Sequence, residues 1–325
     1  MAHNKIVFTD YYYPDIEQEK KILSALDGAE LVDCTKLVSG GVKDEDRVLE
    51  YAADADALIV QFAKITGKVI KGLKKCRIIS RYAIGVDTID VEAAREKGII
   101  VSNVPDYCVE EVSDTAMAHI LNCVRKVTRA HDLLHEGAWA YAKIKPIRRF
   151  ADLTIGLVAF GHIARRVAEK LRPFGNQILA CDPYFSDKAR YPWVDFLSMD
   201  EVLRRSDVIS IHAPLTKDTY HLIDRTRLSM VRKGTIVVNT SRGGLIDEAA
   251  LAEAIDEGRV LAAGLDVLEF ADEDYGKSIL TKYPDRVFIT PHMGWYSEEA
   301  ILDLQRKTAM NVFEMLTNGK PVYQV

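Results

Sequence analysis

Short apolar runs of four or five residues alternate along this chain with polar segments whose apolar positions recur at helical spacing. Near the N-terminus Lys5-Ile6-Val7-Phe8 predicts a strand, and Asp15–Leu26 predicts a helix with apolar residues on one side. Ala57–Val60, Arg77–Ser80 and Ile99–Ser102 predict further strands, separated by helices over about Asp44–Ala53, Gly67–Gly72 and Ile89–Lys97. Strands this apolar are covered on both faces, and their alternation with helices predicts a mostly parallel sheet. Tyr107–Leu134 then predicts one long helix, stopped by His135-Glu136-Gly137. The strand–helix rhythm restarts over Ala151–Asp182 and continues through Val208–Ile211, Thr235–Asn239 and Ala262–Asp266. A last helix over Ser297–Thr317 carries Ile301, Leu304, Ala309, Val312 and Leu316 at a spacing that suits one buried face. The pattern predicts an α/β protein of two domains.

Composition narrows the function classes. The 325 residues are 48% hydrophobic and 28% charged, with 19 glycines, which excludes a disordered or collagen-like chain. Lys plus Arg total 43 against 48 for Asp plus Glu, a net charge of -5 that offers no global attraction for nucleic acid or an anionic membrane. No apolar stretch is long enough to span a bilayer, and the N-terminus turns polar and acidic too early for a secretory signal. The 5 cysteines form no CxxC pair, so neither a disulfide framework nor a zinc site is expected. These features predict a cytoplasmic protein without a metal.

Three places carry candidate chemistry. Between the strand Thr154–Val158 and the helix Ile163–Leu171 lies the turn Ala159-Phe160-Gly161-His162. Such a turn lets backbone N–H groups and a helix N-terminus face a pyrophosphate. It departs from the GxGxxG signature at Ala159 and keeps Gly161, where backbone must approach phosphate. Asp182 follows at the end of the next strand, where a carboxylate binds ribose hydroxyls and repels a 2′-phosphate. Arg242 follows the strand Thr235–Asn239, and its guanidinium fork suits a carboxylate. His292 follows Val287–Pro291 and can exchange a proton near neutral pH. Taken singly, the arginine is as compatible with a solvated loop, and the histidine with a structural hydrogen bond.

Read together, RYAIGVDTID (Arg81–Asp90), SNVPDYCVEEVSD (Ser102–Asp114), LTIGLVAFGHIA (Leu153–Ala164), NTSRGGLIDEAAL, AAGLDVLE and ITPHMGWYSEEA resemble the D-isomer-specific 2-hydroxyacid dehydrogenase family. That family includes phosphoglycerate dehydrogenases and the C-terminal-binding proteins. The resemblance implies two Rossmann-like domains with parallel sheets, the cofactor domain inserted into the substrate domain. The substrate (flavodoxin-like) domain would comprise 1–103 and 297–325, and the NAD-binding domain 104–296, including a dimerisation and hinge helix. It implies Arg242 on the substrate's carboxylate and keto oxygen, and His292 as general acid/base. It implies Ile84, Gly85 and Trp295 at the substrate, and Gly161, His162, Ile163, Asp182, Thr240, Ser241 and Asp266 at NAD, with Arg242 and His292 beside the nicotinamide. The family glutamate that pairs with the histidine falls on Ala271; Glu269 matches the less critical acid of that segment and is carried as a catalytic candidate, and adjacent Asp272 and Glu273 would substitute if the loop takes another path. A homodimer that interconverts small D-2-hydroxy acids and 2-keto acids with NAD is expected. The alternative is an NAD(H)-sensing binding protein like the C-terminal-binding corepressors, suggested by the WYSE stretch at Trp295. A phosphoglycerate substrate would need more cations than Lys64 after the strand ending at Val60.

Overall fold

The computed structural model describes residues 4–270 and 274–325, so Ala271, Asp272 and Glu273 lie outside the described residues. The chain divides into two compact units, one from the N-terminus to Cys108 together with Ser297–Val325, the other Val109–Tyr296. The first unit holds strands β1 (Lys5–Phe8), β2 (Glu30–Asp33), β3 (Ala57–Val60), β4 (Ile78–Arg81) and β5 (Ile100–Ser102). They form one all-parallel sheet in the order β2-β1-β3-β4-β5. The sequence pattern missed β2, because Glu-Leu-Val-Asp at a sheet edge has no buried residue. Alternate residues serve two cores: Val7, Leu58 and Ile79 pack with Val48, Val69 and Ala94 of three helices, while Phe8, Ile59 and Ile78 pack with Leu23, Leu304 and Val312. The last helix, Glu298–Asn318, is tied back here: Ser80 Oγ donates to Thr308 O, and Asn311 Nδ2 donates to Asn103 O.

The second unit carries β6 (Thr154–Val158), β7 (Gln177–Cys181), β8 (Val194–Phe196), β9 (Val208–Ile211), β10 (Thr235–Asn239), β11 (Val260–Leu265) and β12 (Val287–Ile289). All are parallel, in the order β12-β11-β10-β9-β6-β7-β8. The chain begins in the middle and winds outward on both sides, so the strand order reverses between β6 and β9. Ile209, Ile211, Val237 and Leu265 face one core, and Val208, Ile236, Val238 and Ala262 face the other. This two-sided burial is why the strands read as continuous apolar runs. All 5 cysteines are free and buried, and among the described residues no helix is long and apolar enough to cross a membrane.

One expectation fails. The predicted single helix over Tyr107–Leu134 is two helices, Val109–Arg125 and Val127–His135, joined at Lys126 with φ 54° and ψ 41°. A lysine in the left-handed region costs roughly 1–2 kcal/mol, which tertiary packing must offset. Asn122 Oδ1 makes the break by accepting from Thr128 N–H at 2.9 Å and Thr128 Oγ1 at 3.0 Å. Neither glycine nor proline marks the spot, so the apolar periodicity ran through it unnoticed.

Candidate active site

Six strands of the second unit end level. The register pairs Cys181 with Val158, Val158 with Ile211, Ile211 with Asn239, Asn239 with Leu265, and Leu265 with Ile289. Gly161, His162, Ile163, Asp182, Thr240, Ser241, Arg242, Asp266 and His292 all lie within five residues beyond that row. Strand ends at an order reversal are where doubly wound sheets carry ligands, because the adjoining loops part there.

At β6 the turn is built on a left-handed residue, Ala159, with φ 67°. Glycine is the default for that conformation, so the departure noted in the sequence falls on the strained position. Gly161 caps the helix His162–Leu171 in an extended conformation, and among the described residues the helix's first N–H groups have no side-chain cap. A Cβ at Gly161 would meet nothing within 4 Å, so the protein's own packing does not require glycine there. Open backbone at an uncapped helix N-terminus is suited to an anion. Asp182 braces this turn: Oδ2 accepts from Phe160 N–H at 2.8 Å, and Oδ1 accepts from Tyr184 and Phe185 N–H at 2.8 and 3.1 Å.

Buried Asn239 shapes the turn after β10. Its Oδ1 accepts from Ser241 N–H at 3.0 Å and its Nδ2 donates to Arg242 O at 2.8 Å. Arg242 Nη1 donates to Ser241 O at 2.8 Å. Gly243 then crosses Leu268, where a Cβ would come within 2.0 Å of the Leu268 carbonyl carbon. No other residue fits that crossing.

His292 is held by Asp266. The Asp266 carbonyl accepts from His292 N–H at 2.9 Å. Its buried carboxylate accepts from Thr290 Oγ1 at 2.5 Å, Met293 N–H at 3.0 Å and Gly294 N–H at 2.7 Å. The turn sets His292 at φ 50°, and a Cβ on Gly294 would stand 2.7 Å from Asp266 Oδ2. Behind Thr290, His119 Nε2 sits 3.0 Å from its hydroxyl, and burial lowers the His119 pKa. Asn239 and His119 were not anticipated; a polar residue closing an apolar strand and a histidine on the apolar face of a helix were the available signals.

Glu269 is committed elsewhere. Its carboxylate accepts from Tyr220 Oη at 2.5 Å and lies 3.0 Å from His221 Nε2. Its N–H donates to buried Glu248 at 2.8 Å. His221 N–H in turn donates to Gly244 O at 2.7 Å, so this network grips the Arg242–Gly244 turn from behind. Trp295 packs edge-on against Tyr296.

In the first unit, Arg81 Nη1 donates to Gly85 O at 2.9 Å and Asn103 Nδ2 to Ile84 O at 2.7 Å. Among the described residues, the N–H groups of Ile84 and Gly85 have no acceptor.

The residues of the level row fit a dinucleotide. Thr240 Oγ1 and His212 Nδ1, each directly beyond the row on neighbouring strands, are buried with no hydrogen-bond partner among the described residues. Buried polar atoms rarely stay unpaired unless a ligand or water completes them. Among the described residues no group of three or more metal-ligating side chains converges.

A family model described as "D-isomer specific 2-hydroxyacid dehydrogenase, NAD binding domain" matches residues 117–294, more than half of the chain. A hydroxypyruvate reductase from Thermotoga maritima is 37% identical over 276 residues, covering 84% of this chain and 87% of that protein. A D-3-phosphoglycerate dehydrogenase from Methanocaldococcus jannaschii is 38% identical over 299 residues, 91% of this chain and 54% of its own length. The chain thus spans about half the length of the phosphoglycerate dehydrogenases it matches. The crystal structure of a D-lactate dehydrogenase from Aquifex aeolicus, complexed with NAD and lactic acid, superposes with a TM-score of 0.86 at 27% identity, covering 98% of this chain and 99% of that one.

Proposed function

This chain belongs to the D-isomer specific 2-hydroxyacid dehydrogenase family, and we propose that it interconverts a small D-2-hydroxy acid and its 2-keto acid, using NAD in preference to NADP. The level row of strand ends carries the reading, because it sets Arg242, His292 and the cofactor candidates along one edge of one sheet.

Gly161, His162 and Ile163 would hold the pyrophosphate at the uncapped helix terminus. Asp182 would accept from the adenosine ribose, and Thr240, Ser241 and Asp266 would border the nicotinamide. When bound, the cofactor supplies or accepts a hydride at the substrate's C2. The guanidinium of Arg242 grips the substrate carboxylate with two parallel hydrogen bonds and offers positive charge to the C2 oxygen. In reduction, protonated His292 gives that oxygen its proton; in oxidation, the neutral imidazole takes the hydroxyl proton. Asp266 serves by fixing the turn that aims His292, since a positioned acid needs no reorganisation as charge develops. The Ile84 and Gly85 amides are donors suited to a carboxylate, in a substrate domain of 1–103 and 297–325. Trp295 is assigned to the substrate's side chain. Glu269 acts as a positioning residue through Tyr220, His221 and the Arg242 turn.

The test is NADH oxidation with a panel of 2-keto acids, followed by variants on the best substrate. His292→Ala should lower kcat by about 10²–10⁴-fold. Arg242→Ala should raise KM and lower kcat together, having lost a contact to both ground state and developing oxyanion. Asp182→Asn should narrow the preference for NADH over NADPH. NADH binding without turnover on any member of the panel overturns the enzymatic reading and favours a sensing protein.

A further inference from the structure

Far from the level row, at the opposite end of the same sheet, lies a cavity of about 290 Å³. Leu261 and Ala262 reach it from the start of β11, and Arg286 and Phe288 reach it from the start of β12. Lys126, Arg129, Lys143 and Lys145 complete a wall of five cations with Arg286, facing one carboxylate, Asp285. The chain as a whole is acidic, at -5, so this clustering is local.

The charges do not cancel. Asp285 is already paired with Arg129 Nε at 2.9 Å, and Glu136 takes the other edge of the same guanidinium at 2.5 Å. Arg286 Nη1 donates to Ile255 O at 2.9 Å, and Lys145 Nζ stands 5.3 Å from the Tyr141 ring centroid. Among the described residues no carboxylate lies within ion-pair distance of Lys126, Lys143 or Lys145, and Glu136, already held by Arg129, is the acidic neighbour of Lys143. Lys126 is the telling member: it occupies the left-handed break between two helices, a conformation that disfavours its side chain, and burial lowers its pKa. Strained backbone holding an unpaired, partly desolvated ammonium in a cavity is the pattern of a ligand clamp.

We propose that this cavity binds a dianionic oxyanion of the phosphate class, at a site separate from the cofactor and substrate residues. Its volume exceeds that of a bare phosphate, and the apolar surface of Leu261, Ala262 and Phe288 gives an organic substituent a place to lie. The ligand is therefore a phosphate ester, with inorganic phosphate the weaker occupant. The proposal does not depend on which reaction the chain performs.

The test uses the full chain with saturating NADH, so that a pyrophosphate turn at Gly161 is filled. Thermal unfolding is followed while inorganic phosphate or phenyl phosphate replaces chloride at constant ionic strength. Both ligands should raise Tm, phenyl phosphate with at least a fivefold lower half-saturating concentration. In the double variant K126N/K145Q the half-saturating concentrations should rise at least tenfold, with NADH affinity unchanged. Asparagine tolerates the left-handed conformation, so the charge is removed without breaking the turn. Equal responses of parent and variant to phosphate overturn the site. So does the absence of any response, including the case in which the variant instead changes oligomeric state. Equal affinity for the two ligands overturns the phosphate-ester assignment.

Discussion

Ala159 places local backbone strain at a candidate site. Its methyl group occupies a left-handed position, φ 67°, at the head of the candidate pyrophosphate turn. Glycine would remove a cost of roughly 1–2 kcal/mol while losing about 0.5–1 kcal/mol through unfolded-chain entropy. Ala159→Gly should therefore raise stability by about 0.5–1 kcal/mol in urea unfolding; a loss would mean that the methyl packs better than its backbone strains. His212, at the end of β9, sets a pH dependence. Burial of its ring lowers its pKa to about 4 from an ordinary value near 6.5. Between those values the unfolded chain binds a proton that the folded one refuses, so stability falls as pH drops from 6.5 to about 4. The slope from this group is at most ~1.4 kcal/mol per pH unit. His212→Gln should flatten urea-unfolding free energies measured at pH 7, 6 and 5, and an unchanged slope would assign the effect to other groups.

At the scale of elements, the site is made by loops crossing at contact distance. The Arg242 turn runs over the Leu268–Glu269 backbone, and Gly243 is where they touch. Backbone meeting backbone cannot be relieved by a rotamer change, so Gly243→Ala should cost about 2–3 kcal/mol or displace Arg242. Circular dichroism melts and kcat/KM measured together would register either result; normal values in both would show that the crossing is pliable. The break at Lys126 teaches the complementary lesson. Apolar periodicity runs continuously from Val112 to Leu133, yet Asn122 and Thr128 end one helix and begin another. A side-chain hydrogen bond outweighed the continuity of the pattern.

At the scale of the whole molecule, one run of the chain is rich in exposed apolar side chains. Trp139 is 92% exposed and Tyr141 77%, close in sequence to exposed Leu134 and Val127. Large apolar side chains in water mark a contact surface where they group together, as this run does in sequence. With the family resemblance this supports a homodimer, and light scattering at micromolar concentration should return the mass of two chains. Trp139→Ser with Tyr141→Ser should shift the protein towards a single chain, while a monomeric parent would refute the assignment.

Strand positions were legible because buried parallel strands need apolar residues on both faces; β1, β3, β6, β9 and β10 match the runs that predicted them. Arg242, His292 and Asp182 could be picked out as candidates because each stands within three residues after such a run. The edge strand β2 was not legible, since charged Glu30 and Asp33 flank only two apolar residues, Leu31 and Val32, and neither is fully buried. The partners of the site were hidden too. Asp266 grips residues 290–294, Asn239 pins Ser241 and Arg242, and Glu269 turns to His221. These bonds join positions that the chain separates by up to 48 residues, or by a turn whose path no periodicity encodes. Sequence determined which groups stand at the ends of strands. Register and loop crossing decided which of them meet, because hydrogen bonds depend on distances that only the packed sheet sets.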